Sequence, residues 1–220
     1  MGRGGIVPSL RTSIHDASMT GDVYLVTERM TLRRITATDV DDLMALDADP
    51  EVMKHVDPFA ITPQDRTGLR DFICNRRLPQ FFAYYDLYSD RGFWAAIDRH
   101  DGRFLGWFHL TPRSGAPNEA MLGYRLHRFA WGRGLATEGA RALVDRAFAS
   151  GAARVVAETL ARHRASIRVM EKLGMRFMRE TDFRGLPNVE YCIDNPRTAG
   201  DGLDPETTAA APAPSPSAKT

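Results

Sequence analysis

The clearest chemical signal lies in the run Leu122-Gly-Tyr-Arg-Leu-His-Arg-Phe-Ala-Trp-Gly-Arg-Gly-Leu-Ala-Thr-Glu138, which reads as a strand, a glycine-bearing loop and the start of a helix. Gly132 and Gly134 lack a Cβ, so a ligand can approach the backbone and successive amides can point at one anion. The helix N-terminus that follows adds unpaired N–H groups and the positive end of its dipole. A phosphate or pyrophosphate is the natural occupant, and a plain glycine-containing turn before a helix is the alternative. A Walker loop needs GxxxxGK[ST], and no lysine or serine follows these glycines. A dinucleotide fingerprint is closer. Gly132-Arg-Gly134-Leu-Ala-Thr137 lacks only the last glycine, and Glu158 sits at the end of the next strand, where a ribose-binding acid would lie. Its context is wrong, because about five residues separate Leu126 from Gly132 and antiparallel strands come first.

Other side chains could move protons. Ser166, Val169, Met170 and Leu173 are spaced i, i+3, i+4, i+7, so the serine shares an apolar helix face and its hydroxyl needs a partner. That partner is either its own i−4 carbonyl or a ligand. His109 alternates with Leu105 and Trp107 on one strand face, which makes it pocket-facing or a capped core histidine. Glu138 fits a first-turn carboxylate favoured by the helix dipole better than a base.

The elements that must position these groups follow from the hydrophobic periods. Val23–Val26 and Thr31–Arg34 read as short extended pieces. Asp39 is the expected cap of a helix through Val40, Leu43, Met44 and Leu46, stopped by Pro50. Pro63 is expected to open a second helix through Leu69, Phe72 and Ile73. Phe93–Asp98 and Arg103–Thr111 are predicted strands joined at Asp101-Gly102, followed by a strand over Glu119–Leu126. Leu135–Ala149 is the strongest predicted helix, with one apolar stripe and Gly151 as its stop. A strand (Arg154–Thr159), a helix (Ala165–Leu173) and two closing strands (about Arg176–Thr181 and Val189–Ile193) complete the order. Because three strands precede the first crossover helix, a mixed α/β (α+β) domain is expected rather than a doubly wound one.

Composition narrows the field further. Lys and Arg number 29 against 28 Asp and Glu, so the net charge of +1 gives no electrostatic reason to expect a nucleic acid or an anionic membrane as partner. No uncharged apolar run approaches the ~20 residues that span a bilayer, and no secretory h-region opens the chain, so a cytoplasmic protein is expected. Cys74 and Cys192 are too few and too far apart for a metal site or a disulfide scaffold, and no metal is expected. Residues 1–21 read as a flexible lead-in, 22–195 as the folded domain, and 196–220 as a disordered Ala/Pro-rich tail.

The loop also resembles the pyrophosphate motif Q/R-x-x-G-x-G/A of the GNAT acyltransferases. Trp131-Gly-Arg-Gly134-Leu-Ala136 fits its G-x-G/A half, with Trp131 in place of the leading Gln or Arg. The string Trp-Gly-Arg-Gly-Leu-Ala-Thr-Glu resembles the branch that contains the ribosomal-protein-alanine N-acetyltransferases. Val26-Thr-Glu-Arg-Met-Thr-Leu-Arg33 looks like that branch's opening strand, and Ser166-Ile-Arg-Val-Met-Glu-Lys-Leu-Gly174 like its second cofactor helix. In that helix Asn-x-x-Ser is usual, and the Asn position is His163 here.

The resemblance implies the GNAT fold: a central, mostly antiparallel mixed sheet splayed at the cofactor site, with helices on both faces. It implies direct transfer of an acetyl group from acetyl-CoA to a primary amine, on a protein N-terminus or a small molecule. By the resemblance, the backbone at Leu126 would meet the pantetheine arm, and Trp131, Gly132, Arg133, Gly134, Leu135, Ala136 and Thr137 would surround the pyrophosphate. His163 and Ser166 would lie beside the cofactor arm. Many relatives use a Tyr on the second cofactor helix to protonate the leaving thiolate. Its position is Met170 here, which leaves Ser166 or a water for that step. Glu119 is the first candidate for the base and His109 the second, with a solvated edge glutamate the alternative for Glu119. The acceptor side falls among Phe72, Phe81, Phe82, Tyr84, Tyr85, Tyr88 and Trp107, as amine-site walls or as plain core. A non-catalytic acyl-CoA-binding module and a dinucleotide enzyme are the competing readings, and the oligomeric state stays open, a homodimer included.

Overall fold

The computed structural model describes residues 21–56 and 65–198. The expected flexible lead-in up to residue 20, the tail from 199 onward, and Pro63 lie outside the described residues. Eight strands form one sheet: β1 (Val23–Val26), β2 (Met30–Arg34), β3 (Gly92–Asp98), β4 (Phe104–Arg113), β5 (Ala116–Leu126), β6 (Arg154–Leu160), β7 (Arg176–Phe183) and β8 (Leu186–Asp194). Their order is β1-β2-β3-β4-β5-β6-β8-β7. Every neighbouring pair is antiparallel except β5 with β6, which is parallel. A parallel pair needs a crossover, and α5 (Leu135–Ala149) supplies it.

Helices cover both faces of this sheet, as expected of the mixed fold. On one face α5 and α6 (Arg164–Lys172) pack Leu135, Leu143, Ile167 and Met170 against Phe108, Leu122 and Val155. Gly139 lets α5 come close, since an added Cβ would sit 2.4 Å from the Phe108 ring. On the other face lie α1 (Val40–Asp47), α2 (Pro50–Met53), α3 (Arg66–Phe72) and α4 (Leu78–Leu87). Their Leu43, Leu46, Ile73 and Phe81 pack against Phe93 and Trp107.

Two local expectations need correcting. Asp39 does not cap α1 with its side chain; it is buried, accepts from the Thr36 N–H at 2.8 Å, and pairs with Arg33. Pro50 ends α1 but also opens α2, whose cap is the Asp49 carboxylate on the Glu51 N–H. Beyond Phe72 the helical path continues through a π turn, Ile73–Arg77, into α4. Pro79 explains the wide turn: it has no N–H and its ring would clash with the carbonyl four residues back.

The π turn has a second effect. It brings Arg77 to the Asp47 carboxylate, which also takes an ion pair from Arg125 of β5. Asp47 is 4% exposed and Arg125 7%, so one buried anion ties α1, the π turn and the middle of the sheet together. Arg125 also lies over the Trp107 ring, 5.1 Å from its centroid. Removing the anion strands two guanidinium groups in a dry site. Asp47→Ala should therefore destabilise the fold by about 3–5 kcal/mol, read as a lower urea midpoint at unchanged slope.

Candidate active site

β5 and β6 are paired only at Glu119↔Arg154, Ala120↔Val155 and Met121↔Val156. Beyond these three registers both strands continue, β5 to Leu126 and β6 to Leu160, without pairing to each other. A cavity of about 230 Å³ fills the gap. Side chains alternate along a strand, so the two faces of the sheet contribute different groups. From the α5/α6 face come Tyr124, Ser166 and Met170. From the α1–α4 face come Trp107 and Arg125, with His109 beside them stacked on Phe93 at 5.3 Å. The opening therefore passes through the sheet.

Tyr124 and Ser166 form the first pair in the cavity wall. The phenol donates to the serine Oγ at 3.4 Å. The Ser166 Oγ is thus the acceptor of a bond from a strand residue of the cavity wall. Burial raises the Tyr124 pKa, opposed by the bond to Ser166, so the phenol keeps its proton at neutral pH. Met170 is buried at the base of the same wall.

His109 lines the cavity because its cross-strand partner is Gly123. A Cβ there would stand 2.2 Å from the His109 Nε2. The alternation expected with Leu105 is broken: a bulge opposite Ala96 and Ile97 turns Leu105 into the α5-side core, while Trp107 and His109 stay on the other face. Burial first, then the Arg125 charge, pushes the His109 pKa down to about 4. His163 falls to about 4 as well, from burial and from His55, whose ring stacks on it at 4.2 Å. The Arg162 guanidinium donates to the Lys54 carbonyl at 3.1 Å, so the segment after α2 is latched across the cavity to the loop before α6.

Glu119 stands at the closed end, where the strands still pair. Its two oxygens meet Arg113 and Arg154 at 2.5 and 3.1 Å, and it does not line the cavity. Glu158 does. It lies on the α1–α4 face of β6, opposite to Ala157, and accepts from the Asn188 Nδ2 at 3.4 Å. Desolvation, then the Glu190 carboxylate beside it, raises its pKa against the opposing pull of Arg113 and Arg179. Tyr124 and Glu158 stood in the strands already read from the sequence. Only the three-dimensional gap reveals that they share it.

The glycine loop is outside this cavity, at the outer end of β5. The Trp131 indole donates to the Leu126 carbonyl at 2.8 Å and closes the loop; a carbonyl has two lone pairs, so one remains. Gly132 and Gly134 have φ of 72° and 79°, where L-residues are strained. The first α5 bond runs from the Glu138 N–H to the Gly134 carbonyl, so the amides of Leu135, Ala136 and Thr137 have no partner within the helix. The Arg133 side chain turns to Asp98 at 3.6 Å. Gly134 and Thr137 line an open shelf with Arg141 and Lys172. Among the described residues no three His, Cys, Asp or Glu side chains group as metal ligands, and no helix is long and apolar enough to cross a membrane.

Residues 29–176 match the acetyltransferase (GNAT) domain family. The chain is 31% identical over 166 residues to YkkB of Bacillus subtilis, an uncharacterised protein, covering 72% of this chain and 88% of that one. It is 33% identical over 145 residues to the FsC-acetyl coenzyme A-N(2)-transacetylase of Aspergillus fumigatus, covering 60% of this chain and 56% of that enzyme. The structure of the ribosomal-protein-S5-alanine acetyltransferase of Vibrio fischeri superposes with a TM-score of 0.63 at 17% identity, over 80% of this chain and 98% of that one.

The cavity histidines give the pH dependence a sign. Both folded-state pKa values, about 4, lie below the ordinary 6.5, so the unfolded chain binds more protons between those limits. Their contribution is complete above pH 6.5 and is lost as pH falls toward 4. The thermal midpoint should drop across that window, and His163→Asn should flatten part of the slope.

Proposed function

Since the chain belongs to the GNAT acetyltransferase family, and is thereby an acetyl-CoA-dependent N-acyltransferase, we propose that it acetylates a primary amine, either a protein N-terminus or a small molecule. The observation that carries this reading is the cavity through the sheet, which offers different chemistry on each face. Acetyl-CoA supplies the thioester acyl donor. The unpartnered amides at the start of α5 suit its diphosphate, and the gap between β5 and β6 suits its extended arm.

On the α5/α6 face, Ser166 gives its proton to the departing thiolate and takes one from the Tyr124 phenol, which regains a proton from solvent as Glu158 releases the one taken from the amine. Met170 has no proton to give, so this pair replaces a helix-borne tyrosine. On the opposite face, Glu158 takes the proton from the attacking amine. Glu119 is the weaker choice because two arginines occupy it away from the gap. His109 is neutral at working pH and walls the acceptor side with Trp107.

Free-thiol release from acetyl-CoA, over a panel of N-terminal peptides and small primary amines with product mass spectrometry, tests the assignment. Binding of acetyl-CoA with no amine acetylated would replace the enzyme by a binding module. A base with a raised pKa gives kcat/KM that climbs with pH through that pKa and then levels. Glu158→Gln should remove that limb and lower kcat about 10²- to 10⁴-fold, with coenzyme A affinity unchanged. A pH profile identical to the wild type's would return the role to His109 or a water chain.

A further inference from the structure

The turn between β1 and β2 reaches the glycine loop from a distant part of the chain. The Glu138 carboxylate, in the first turn of α5, accepts from the Thr27 hydroxyl at 2.6 Å, the Arg29 N–H at 2.9 Å and the Arg29 Nε at 2.7 Å. Those bonds, with the charge of Arg29, hold its carboxyl below the usual range despite the opposing effect of burial. The Arg29 Nη1 then donates to the Arg133 carbonyl at 2.7 Å. Behind this turn stands another: the Arg99 guanidinium, between β3 and β4, donates to the Thr27 and Glu28 carbonyls at 2.9 and 2.8 Å.

A trans peptide points its C=O and N–H in opposite directions. Fixing the Arg133 carbonyl on Arg29 therefore aims the Gly134 N–H away from Arg29, to the side where a ligand of the loop would stand. Gly134 has no side chain to resist rotation of that peptide, and an added Cβ would meet only the Arg29 guanidinium, at 3.4 Å. We propose that Arg29 and Glu138 are positioning residues for the diphosphate: they clamp the Arg133–Gly134 peptide so that the loop amides converge before the ligand arrives. Preorganisation of this kind raises affinity by removing the cost of ordering the loop on binding. The inference rests on the reading of this loop as the diphosphate cradle.

Calorimetric titration with coenzyme A and amide hydrogen exchange of the free protein test it together. Arg29→Ala should weaken coenzyme A binding about ten- to a hundredfold and speed exchange at Glu138–Ala140, the first hydrogen-bonded amides of α5, while exchange in β3, β4 and β5 stays at the wild-type rate. Glu138→Gln keeps the size of the side chain, removes its charge, and should act in the same direction; it carries the test if the alanine variant does not fold. A folded variant with wild-type affinity, or one whose exchange rises as much across the sheet as in the first bonded turn of α5, overturns the clamp. Failure of the wild-type protein to bind coenzyme A would overturn the cradle itself, a distinguishable result.

Discussion

Two adjacent parallel strands that part company midway through a sheet leave backbone donors and acceptors facing each other across a gap. That separation of β5 from β6 after Met121 and Val156 is the constraint on which the rest of the molecule depends. Antiparallel neighbours hold each strand on its outer side, β4 along β5 and β8 along β6, so the gap opens without unravelling either half. Gly123 leaves room for the His109 ring, and Tyr124 reaches across to Ser166. Helices α5 and α6 then roof one side, and the early helices roof the other.

The charges follow this geometry. A chain with a net charge of +1 has no large net charge to steer a partner, yet several of its arginines brace the sheet around the gap and the glycine loop. Arg125 and Arg77 share the Asp47 anion on the α1–α4 face, Arg113 and Arg154 share Glu119 at the joined end, and Arg29 bonds the glycine loop. Each carries several directed N–H groups, so one side chain can serve two partners where a lysine would offer a point charge.

Much of this was legible in the residues. The stripe of Leu135–Ala149 marked its helix to the residue, and Asp101-Gly102 marked a turn in which Gly102 takes a φ of 73°. The π turn was hidden because the apolar positions Leu69, Phe72 and Ile73 keep an ordinary helical period up to it, and the widening lies beyond them, before Pro79. Asp39 stands at the helix N-cap position as read, but its carboxylate turns back to Arg33 and the Thr36 N–H, partners just upstream that a helical period does not report. Ser166 was identified by its place on an apolar face, but its partner Tyr124 is 42 residues earlier, and no local period reports such a pairing. Glu158 and Glu138 took their significance from register and long-range contact, which a single sequence does not display.

The joined end of β5 and β6 has a mechanical corollary. Three registers, the Ala153 N–H bond to the Asn118 carbonyl and the Glu119–Arg154 ion pair join the two strands, and this short seam lies at one end of the opening. From that seam the strands run unpaired to Leu126 and Leu160, while one continuous core of Leu122, Leu126, Val155 and Ala157 with α5 and α6 side chains spans the gap on one face. The carboxylate that the sequence suggested as a proton acceptor sits in that seam, riveted between two arginines.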